Sequence, residues 1–169
     1  MDAIQAILTR RSIRKYTSKA VSEEMVTQLL EAAMSAPSAG NQQPWHFVVL
    51  NDHAIMDQVS KFHRYSEMLK QAQVAILVCA DLSIETHVGY WVLDCSAATE
   101  NILIAAHALG LGAVWLGIYP REERVKGMIE LLKLPENIMP HSLISIGYPG
   151  EKKGPANRFN AKRVHYNKW

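Results

Sequence analysis

The sequence predicts one domain in which helices alternate with strands, an order that by itself permits a parallel α/β sheet. Residues 74–80 form a near-continuous apolar run, as expected of a strand that is covered on both faces. Residues 101–118 contain no formally charged side chain, a run long enough to raise the question of a membrane span. The polar Asn101 and His107 and the break at Gly110 favour a buried helix followed by a strand instead. With 169 residues, the chain is long enough for one domain with a core of its own.

The first part of the chain is predicted to hold two helices. Asp2 can cap a short helix that runs to about Thr9, and Ser22 can cap a second one with an apolar stripe. Residues 36–44 consist of turn formers with an unusual share of amide side chains. The later elements follow from apolar periodicity and from glycine and proline positions. They are a strand at 46–50, a helix at about 54–62, the strand at 74–80, a central helix ending before Gly110, a strand at 113–118, a helix at 121–133 and a strand at 142–148.

The net charge is small but unevenly distributed. A formal charge of +2, with 49% hydrophobic and 20% charged residues, is ordinary for a globular protein and does not by itself indicate nucleic acid. Basic residues gather near both ends, at Arg10, Arg11, Arg14 and Lys15 and again at Lys152, Lys153, Arg158, Lys162, Arg163 and Lys168. The two groups either are solvated faces or meet at one anionic ligand. A nucleic-acid module is disfavoured because a glycine-rich, exposed-aromatic RNA signature is missing.

Cysteine usage and the N-terminus predict the compartment. Cys79 and Cys95 both occupy core-like positions, which favours a reducing environment over a disulfide framework. The N-terminus has no basic region, and its apolar run is too short for a signal peptide. We therefore expect a cytoplasmic protein that does not bind membranes.

The C-terminal tail is polar and basic but ends in apolar and aromatic residues. Val164, Tyr166 and Trp169 are unusual in a disordered segment. This composition predicts that residues 149–169 form an arm that docks on another surface, such as a second subunit. A lightly structured tail is the alternative.

No catalytic or metal-binding motif is evident. The seven histidines show none of the spacings of a zinc site, and we expect no bound metal. Motifs for an activated serine are also missing. Gly110-Leu111-Gly112 lacks a third glycine and precedes a strand, so it is not a dinucleotide-binding fingerprint. If the chain is an enzyme, a cofactor carries its chemistry.

The N-terminal basic segment has the pattern of a phosphate clamp. Arg10, Ser12 and Arg14 alternate, so in an extended segment they point to the same side. Two guanidinium groups and a hydroxyl suit a phosphate, since guanidinium binds phosphate oxygens in a bidentate manner.

Three motifs along the chain make this reading more specific. They are Arg10-Arg11-Ser12-Ile13-Arg14, Pro37-Ser38-Ala39-Gly40-Asn41-Gln42-Gln43-Pro44-Trp45, and Gly110-Leu111-Gly112-Ala113-Val114-Trp115-Leu116-Gly117. The later Gly147-Tyr148-Pro149-Gly150 and Arg158 complete the series. In this order they resemble the FMN-dependent nitroreductase family, from near the first residue to the tail.

The resemblance implies a role for each matching position. The arginine–serine segment of that family grips the phosphate and ribityl chain of FMN, here Arg10, Arg11 and Ser12. The basic residue two positions later reaches the pyrimidine edge of the flavin, here Arg14. The strand end supplies backbone contacts near flavin N5, and a basic residue of the tail returns to the phosphate. Those positions are Leu116, Gly117 and Arg158. The amide-rich loop contacts the flavin of the neighbouring subunit, through Pro37, Ser38, Asn41 and Gln43.

Structural alternatives exist for several of these residues. Asn41 and Gln43 could hold a turn, and Gly117 could simply end a strand. Trp45 and Trp115 are expected in the core. Three further aromatic residues could cover the flavin face, namely Tyr65, Tyr90 and Trp91. Between residues 62 and 69, no second basic contact can be matched.

The resemblance also implies a fold and an assembly. It predicts a single α+β domain over residues 1–169, with three α/β/α layers and a mixed, largely antiparallel central sheet. It further predicts an intertwined homodimer with two FMN sites at its interface.

The implied function is that of an FMN-dependent NAD(P)H oxidoreductase. By a ping-pong mechanism, a hydride passes through flavin N5 to a small acceptor such as a nitroaromatic or a quinone. The alternative is an FMN carrier or redox sensor with little turnover. The sequence does not choose between NADH and NADPH.

Overall fold

A computed structural model describes residues 1–169 as an antiparallel sheet between two layers of helices. The elements are α1 (Ala3–Thr9), α2 (Glu23–Met34), β1 (Trp45–Leu50), α3 (His53–Gln58), β2 (Val74–Asp81), α4 (Trp91–Ala108), β3 (Gly112–Gly117), α5 (Glu122–Leu132) and β4 (Ile138–Gly147). None of the helices combines the length and apolarity that crossing a bilayer requires.

The sheet has the strand order β1-β2-β4-β3, and all three pairings are antiparallel. The parallel sheet that the order of elements permitted does not form. The single parallel pairing is an isolated bridge between Ser12 and Ala113. It joins the N-terminal segment to β3, one of the two edge strands.

Alternation along β2 shows how the three layers are held together. Val74, Ile76 and Val78 pack into the apolar cluster that contains α2 and α4. Ala75 and Leu77 belong instead to the cluster on the opposite face, with α3 and α5. A strand that is covered on both faces must be apolar at every position, which explains the unbroken run seen in the sequence. The α+β, three-layer fold that the resemblance implied is confirmed.

Local sequence signals set most helix ends where predicted. An Asp2 carboxylate oxygen accepts a hydrogen bond from Gln5 N at 2.9 Å, and the Ser22 hydroxyl accepts one from Met25 N at 3.3 Å. Gly110, just after α4, has φ +78°, a left-handed conformation that glycine adopts without strain. Asp2 and Ser22 thus accept hydrogen bonds from amides that have no partner within the helix, and Gly110 ends α4, as their residue types predict.

Two predicted boundaries were wrong. The helix expected to reach Phe62 ends at Gln58, and a 3₁₀ turn, Val59–Lys61, continues it. The strand expected from Ser142 begins at Ile138. Pro140 is accommodated opposite Cys79, where the β2–β4 register shifts. Such a bulge tolerates a residue that has no N–H to donate, whereas the sequence rule treats proline as the end of a strand.

The N-terminal segment is bound along the edge of the sheet. Ile13 N donates to Ala113 O at 3.0 Å, and Gly150 N donates to Lys15 O at 2.8 Å. The buried Tyr16 hydroxyl lies 2.8 Å from Ile13 O and 3.0 Å from Ser145 O. Burial raises the pKa of Tyr16, so the neutral hydroxyl donor is retained. The segment that carries the basic motif is therefore a fixed part of the fold.

Gly112 is required for this docking. A Cβ at residue 112 would lie 2.7 Å from Ile13 Cγ2 and 2.9 Å from Ile13 Cβ. We expect Gly112→Ala to lower the free energy of unfolding by about 1–3 kcal/mol, the usual cost of overpacking a core. Gly117→Ala is the matched control, because a Cβ there meets nothing within 4 Å. Urea unfolding of the two apoproteins measures the difference, and equal midpoints would contradict the close packing at Ile13.

Candidate functional site

The basic segment that follows α1 is held by side-chain contacts with two other parts of the chain, α4 and the tail. Arg10 Nε lies 3.2 Å from a carboxylate oxygen of Glu100 on α4. Arg11 donates a side-chain hydrogen bond to Gly154 O, and Lys153 Nζ donates to Ser12 O at 2.7 Å. The N-terminus, α4 and the tail thus meet at this segment.

Two grooves adjoin the segment. The larger, of about 690 Å³, is lined by Arg10 and Arg158 together with Ile7, Leu8 and Phe159. Basic residues near the two chain ends therefore line the same groove, while their meeting at one anionic ligand stays a prediction.

The second groove, of about 370 Å³, is lined by Glu151, among other residues, and by three cationic residues from both ends of the chain. The cationic residues are Arg11, Lys152 and Lys153. Arg10 and Arg11 thus line different grooves, as expected for neighbouring residues of an extended segment.

Arg14 is exposed, and its side chain has no hydrogen-bond partner within the chain. Its backbone, in contrast, is held by a hydrogen bond. Arg14 N donates to a carboxylate oxygen of Glu151 at 2.6 Å. This hydrogen bond, and the nearby Lys153 ammonium, hold the pKa of Glu151 below its usual range. The guanidinium of Arg14 is therefore free to meet a ligand.

The amide-rich loop has an unusual backbone. Gly40, Asn41 and Gln43 all have positive φ, at 53°, 57° and 46°. The Ser38 hydroxyl accepts a hydrogen bond from Gln43 N at 3.0 Å. The side chains of Asn41 and Gln43 are exposed and make no hydrogen bond within the chain. Left-handed backbone at non-glycine residues is uncommon and must be held by its surroundings.

Asp94, a buried residue on α4, holds this loop. Its carboxylate accepts hydrogen bonds from Ala39 N at 2.9 Å and from Gln42 Nε2 at 2.6 Å. Gln42 Oε1 in turn accepts bonds from the backbone of Thr86 and His87, at 2.9 and 3.0 Å. Neither Asp94 nor Gln42 was among the predicted site residues, although an acidic side chain in a largely apolar helix was a signal present in the sequence.

The end of β3 is open on one side. Leu116 is buried, whereas a Cβ built on Gly117 would meet no atom within 4 Å. Gly117 O accepts a hydrogen bond from the Arg124 guanidinium at 2.7 Å. The next two amides, of Ile118 and Tyr119, both lie within hydrogen-bonding distance of His141 O, at 3.3 and 3.0 Å.

An aromatic cluster supports this strand end from within. The ring of His141 lies 6.1 Å from that of Trp91 and 5.6 Å from that of Trp115. Burial lowers the pKa of His141 to about 4, so the ring is neutral near pH 7. Trp45 is in the core as expected, and Trp115 is partly buried against it. Trp91 is buried too, whereas Tyr65 and Tyr90 are exposed.

The predicted site residues thus fall into separate groups within one chain. Arg10 and Arg158 share one groove, and Arg11 lines another with Lys152 and Lys153. Neither groove is lined by residues of the amide-rich loop. The protomer brings Arg10 and Arg158 together, but it places Arg11 in another groove and the amide-rich loop in neither.

Comparison with known proteins identifies the family. The sequence model described as "Nitroreductase family" matches residues 7–66 and 56–148. The chain belongs to the nitroreductase family. A relative from Methanothermobacter thermautotrophicus is 49% identical over 169 residues, which cover 100% of this chain and 88% of the relative. Its name is "Putative NADH dehydrogenase/NAD(P)H nitroreductase".

Solved structures of family members agree with the fold of this chain. An FMN-dependent nitroreductase of Clostridium difficile superposes with a TM-score of 0.91 at 33% identity, covering 98% of this chain and 99% of that one. A Desulfovibrio desulfuricans protein solved in complex with FMN gives a TM-score of 0.86 at 35% identity, covering 100% and 98%. The expected enzyme class and its cofactor agree with these names, while the individual residue roles stay predictions.

Loss of the Asp94 charge should loosen the amide-rich loop. In Asp94→Asn, a side-chain NH₂ would face Gln42 Nε2, or the Ala39 amide would lose its acceptor. We expect the free energy of local opening to fall by about 1–3 kcal/mol. Hydrogen exchange of the Ala39 amide measures this, with the exposed Asp57→Asn as control. An unchanged exchange rate would mean that other contacts fix the loop.

Proposed function

We propose that this nitroreductase is an FMN-dependent oxidoreductase that passes electrons from NAD(P)H to nitroaromatics, quinones or similar acceptors by a ping-pong mechanism. The observation that carries the proposal is the basic groove formed by Arg10 and Arg158 beside a rigid N-terminal segment. It occurs in a chain of this family whose relatives include an FMN complex.

The residues present fit a terminal phosphate. Arg10 and Arg158 offer two guanidinium groups in one groove, whereas Arg11, the next residue after Arg10, lines the neighbouring groove. In the free chain, Glu100 is the partner of Arg10. A phosphate carries more charge than one carboxylate and therefore competes for Arg10, with Arg158 as a second cation.

These residues would hold FMN, which when bound would supply hydride and electron transfer through N5. Arg14, with an exposed side chain, would stabilise negative charge near the pyrimidine edge. At the end of β3, Gly117 leaves space for a flat ring because it has no side chain. Leu116 holds that backbone in place by its own burial.

The remaining predicted contacts favour a site that two subunits share. Pro37, Ser38, Asn41 and Gln43 lie outside the two grooves that the basic residues line. A homodimer, in which the loop of one protomer meets the basic segment of its partner, brings the two groups together. The rigid loop presents Asn41 and Gln43 outward, as such a contact requires.

The C-terminal arm, residues 149–169, fits the same assembly. Phe159, Tyr166 and Trp169 are 86%, 84% and 101% exposed. Apolar side chains so exposed at the end of an ordered chain favour docking on a partner.

A cytoplasmic location agrees with the two buried, unpaired cysteines.

The proposed function is tested with purified protein. We expect one FMN, and no FAD, to be released per chain on denaturation, and we expect NADH or NADPH to bleach the flavin absorption under anaerobic conditions. Adding a nitroaromatic or a quinone should restore the absorption. A flavin that is bound but not reduced by either nicotinamide would favour the carrier or sensor function. Failure to bind FMN would overturn both.

Dimer formation and FMN affinity should be linked through the arm. Truncation after Gly150 removes Arg158 and all of the exposed tail aromatics, so it should reduce both dimer content and FMN affinity. Arg158→Ala should weaken FMN binding by about tenfold or more, the effect of one charge-assisted contact, without changing dimer content. Lys168→Ala, an equal charge change in the exposed tail, is the control.

Sedimentation of the apoproteins and FMN titration measure the two effects separately. A truncated monomer that binds FMN as tightly as the intact chain would show that the site lies within one protomer.

A further inference from the structure

A further basic pocket lies between residues 60–65 and the first turn of α5. Its volume is about 640 Å³. Lys61, Arg64, Arg121 and Arg124 line it, together with the carboxylates of Glu122 and Glu123. None of the resemblance motifs includes these residues, and the proposed phosphate grip uses none of them.

The positive charge of this pocket is only partly balanced within the chain. Four cationic residues face two carboxylates, and no ion pair within 4.0 Å joins any of the six. By contrast, Arg10 is paired with Glu100 and Lys153 with Glu151. Burial, and then the Arg124 charge, lower the pKa of nearby His63. An anion is therefore the ligand that this pocket favours.

Tyr65 arranges two of the guanidinium groups. Arg64 Cζ lies 4.5 Å from the centroid of the Tyr65 ring, and Arg124 Cζ lies 5.9 Å from it. Arg64 also donates a hydrogen bond to the Tyr65 hydroxyl. A guanidinium group that is already held in place loses less conformational entropy when it binds phosphate oxygens than a free side chain does.

The two walls of the pocket are packed directly on each other. Phe62 lies against the backbone of α5 at Gly127, where any Cβ would overlap its ring. The pocket is thus a fixed feature of the fold, since a glycine in mid-helix is what permits this approach.

Arg124 links the pocket to the candidate flavin edge. The same guanidinium that lies near Tyr65 donates to Gly117 O at 2.7 Å. Gly117 is the predicted contact near flavin N5. A substrate whose reacting ring lies at Gly117 can therefore extend a charged group toward Arg64 and Arg121.

We infer that this pocket binds a phosphate group of the nicotinamide dinucleotide, an inference that rests on the proposed function. The dinucleotide offers two sources of the same chemistry. Its pyrophosphate is common to NADH and NADPH, whereas the 2′-phosphate is present only in NADPH. Both supply the oxygen-rich anion that arginine forks bind.

Variants of Arg64 and Arg121 test the inference. Arg124 is left intact because it also holds Gly117. In the FMN-loaded protein, Arg64→Ala and Arg121→Ala should each raise KM by about tenfold with kcat little changed, since a remote phosphate contact is kept throughout the reaction. An effect on NADPH alone identifies the 2′-phosphate, and an equal effect on both nicotinamides identifies the pyrophosphate. Lys126→Ala, the same charge change at an exposed position of α5, should have no effect.

A binding measurement separates this inference from the proposed function. Calorimetry measures the affinity of the pocket for 2′-phospho-ADP-ribose and for ADP-ribose. Neither compound can be oxidised or reduced at the flavin, so binding is measured without turnover. Glu123→Gln should tighten binding several-fold by removing a repelling carboxylate, and added salt should weaken it. Unchanged affinity in Arg64→Ala, Arg121→Ala and Glu123→Gln would overturn the inference. Failure of flavin reduction alone would overturn only the proposed function.

Discussion

The burial of helix α4 is the constraint on which the functional side of this molecule depends. Eight of its 18 residues are buried, and its two carboxylates hold two segments that carry predicted site residues. Asp94 fixes the amide-rich loop, and Glu100 holds Arg10. Six residues separate them, which corresponds to about 9 Å along the axis and about 240° around it. One helix therefore fixes both segments while directing them to different sides, a geometry that suits a site completed by a second protomer.

Local signals in the sequence were enough for most of the elements. Asp2 and Ser22 cap helices because their side-chain oxygens satisfy free amides one turn later, and Gly110 ends α4 because it adopts a left-handed backbone. The apolar run at 74–80 indicated a strand covered on both faces. Its antiparallel direction depends on partners elsewhere in the chain, so only the resemblance supplied it. The bulge that allows Pro140 into β4 depends on β2, more than 50 residues earlier, and no local pattern reveals it.

The residues of the candidate site, likewise, could be predicted from the sequence only where they form a local motif. The basic residues and the amide-rich loop were visible as motifs because each occupies one short segment. Asp94 was not visible, since its importance arises from hydrogen bonds to residues 52 and 55 positions away. The pocket at Arg64 and Arg121 was missed for the same reason. It forms only where two segments with no shared motif pack together through Phe62 and Gly127.

The neutral state of His141 has a consequence for the response of the protein to acid. The Ser96 hydroxyl donates to Val92 O, so His141 Nε2 carries the hydrogen toward Ser96, while Nδ1 remains a bare lone pair without a partner. Protonation would place an unmatched N–H and a charge between two tryptophans. Because the folded pKa of about 4 lies below the ordinary value of 6.5, the unfolded chain binds this proton first. This one ring therefore makes folding progressively less favourable as the solution is acidified from about pH 6.5 to pH 4. A surface histidine that gains a carboxylate partner on folding has the reverse effect, because its protonated form stabilises the folded state at low pH.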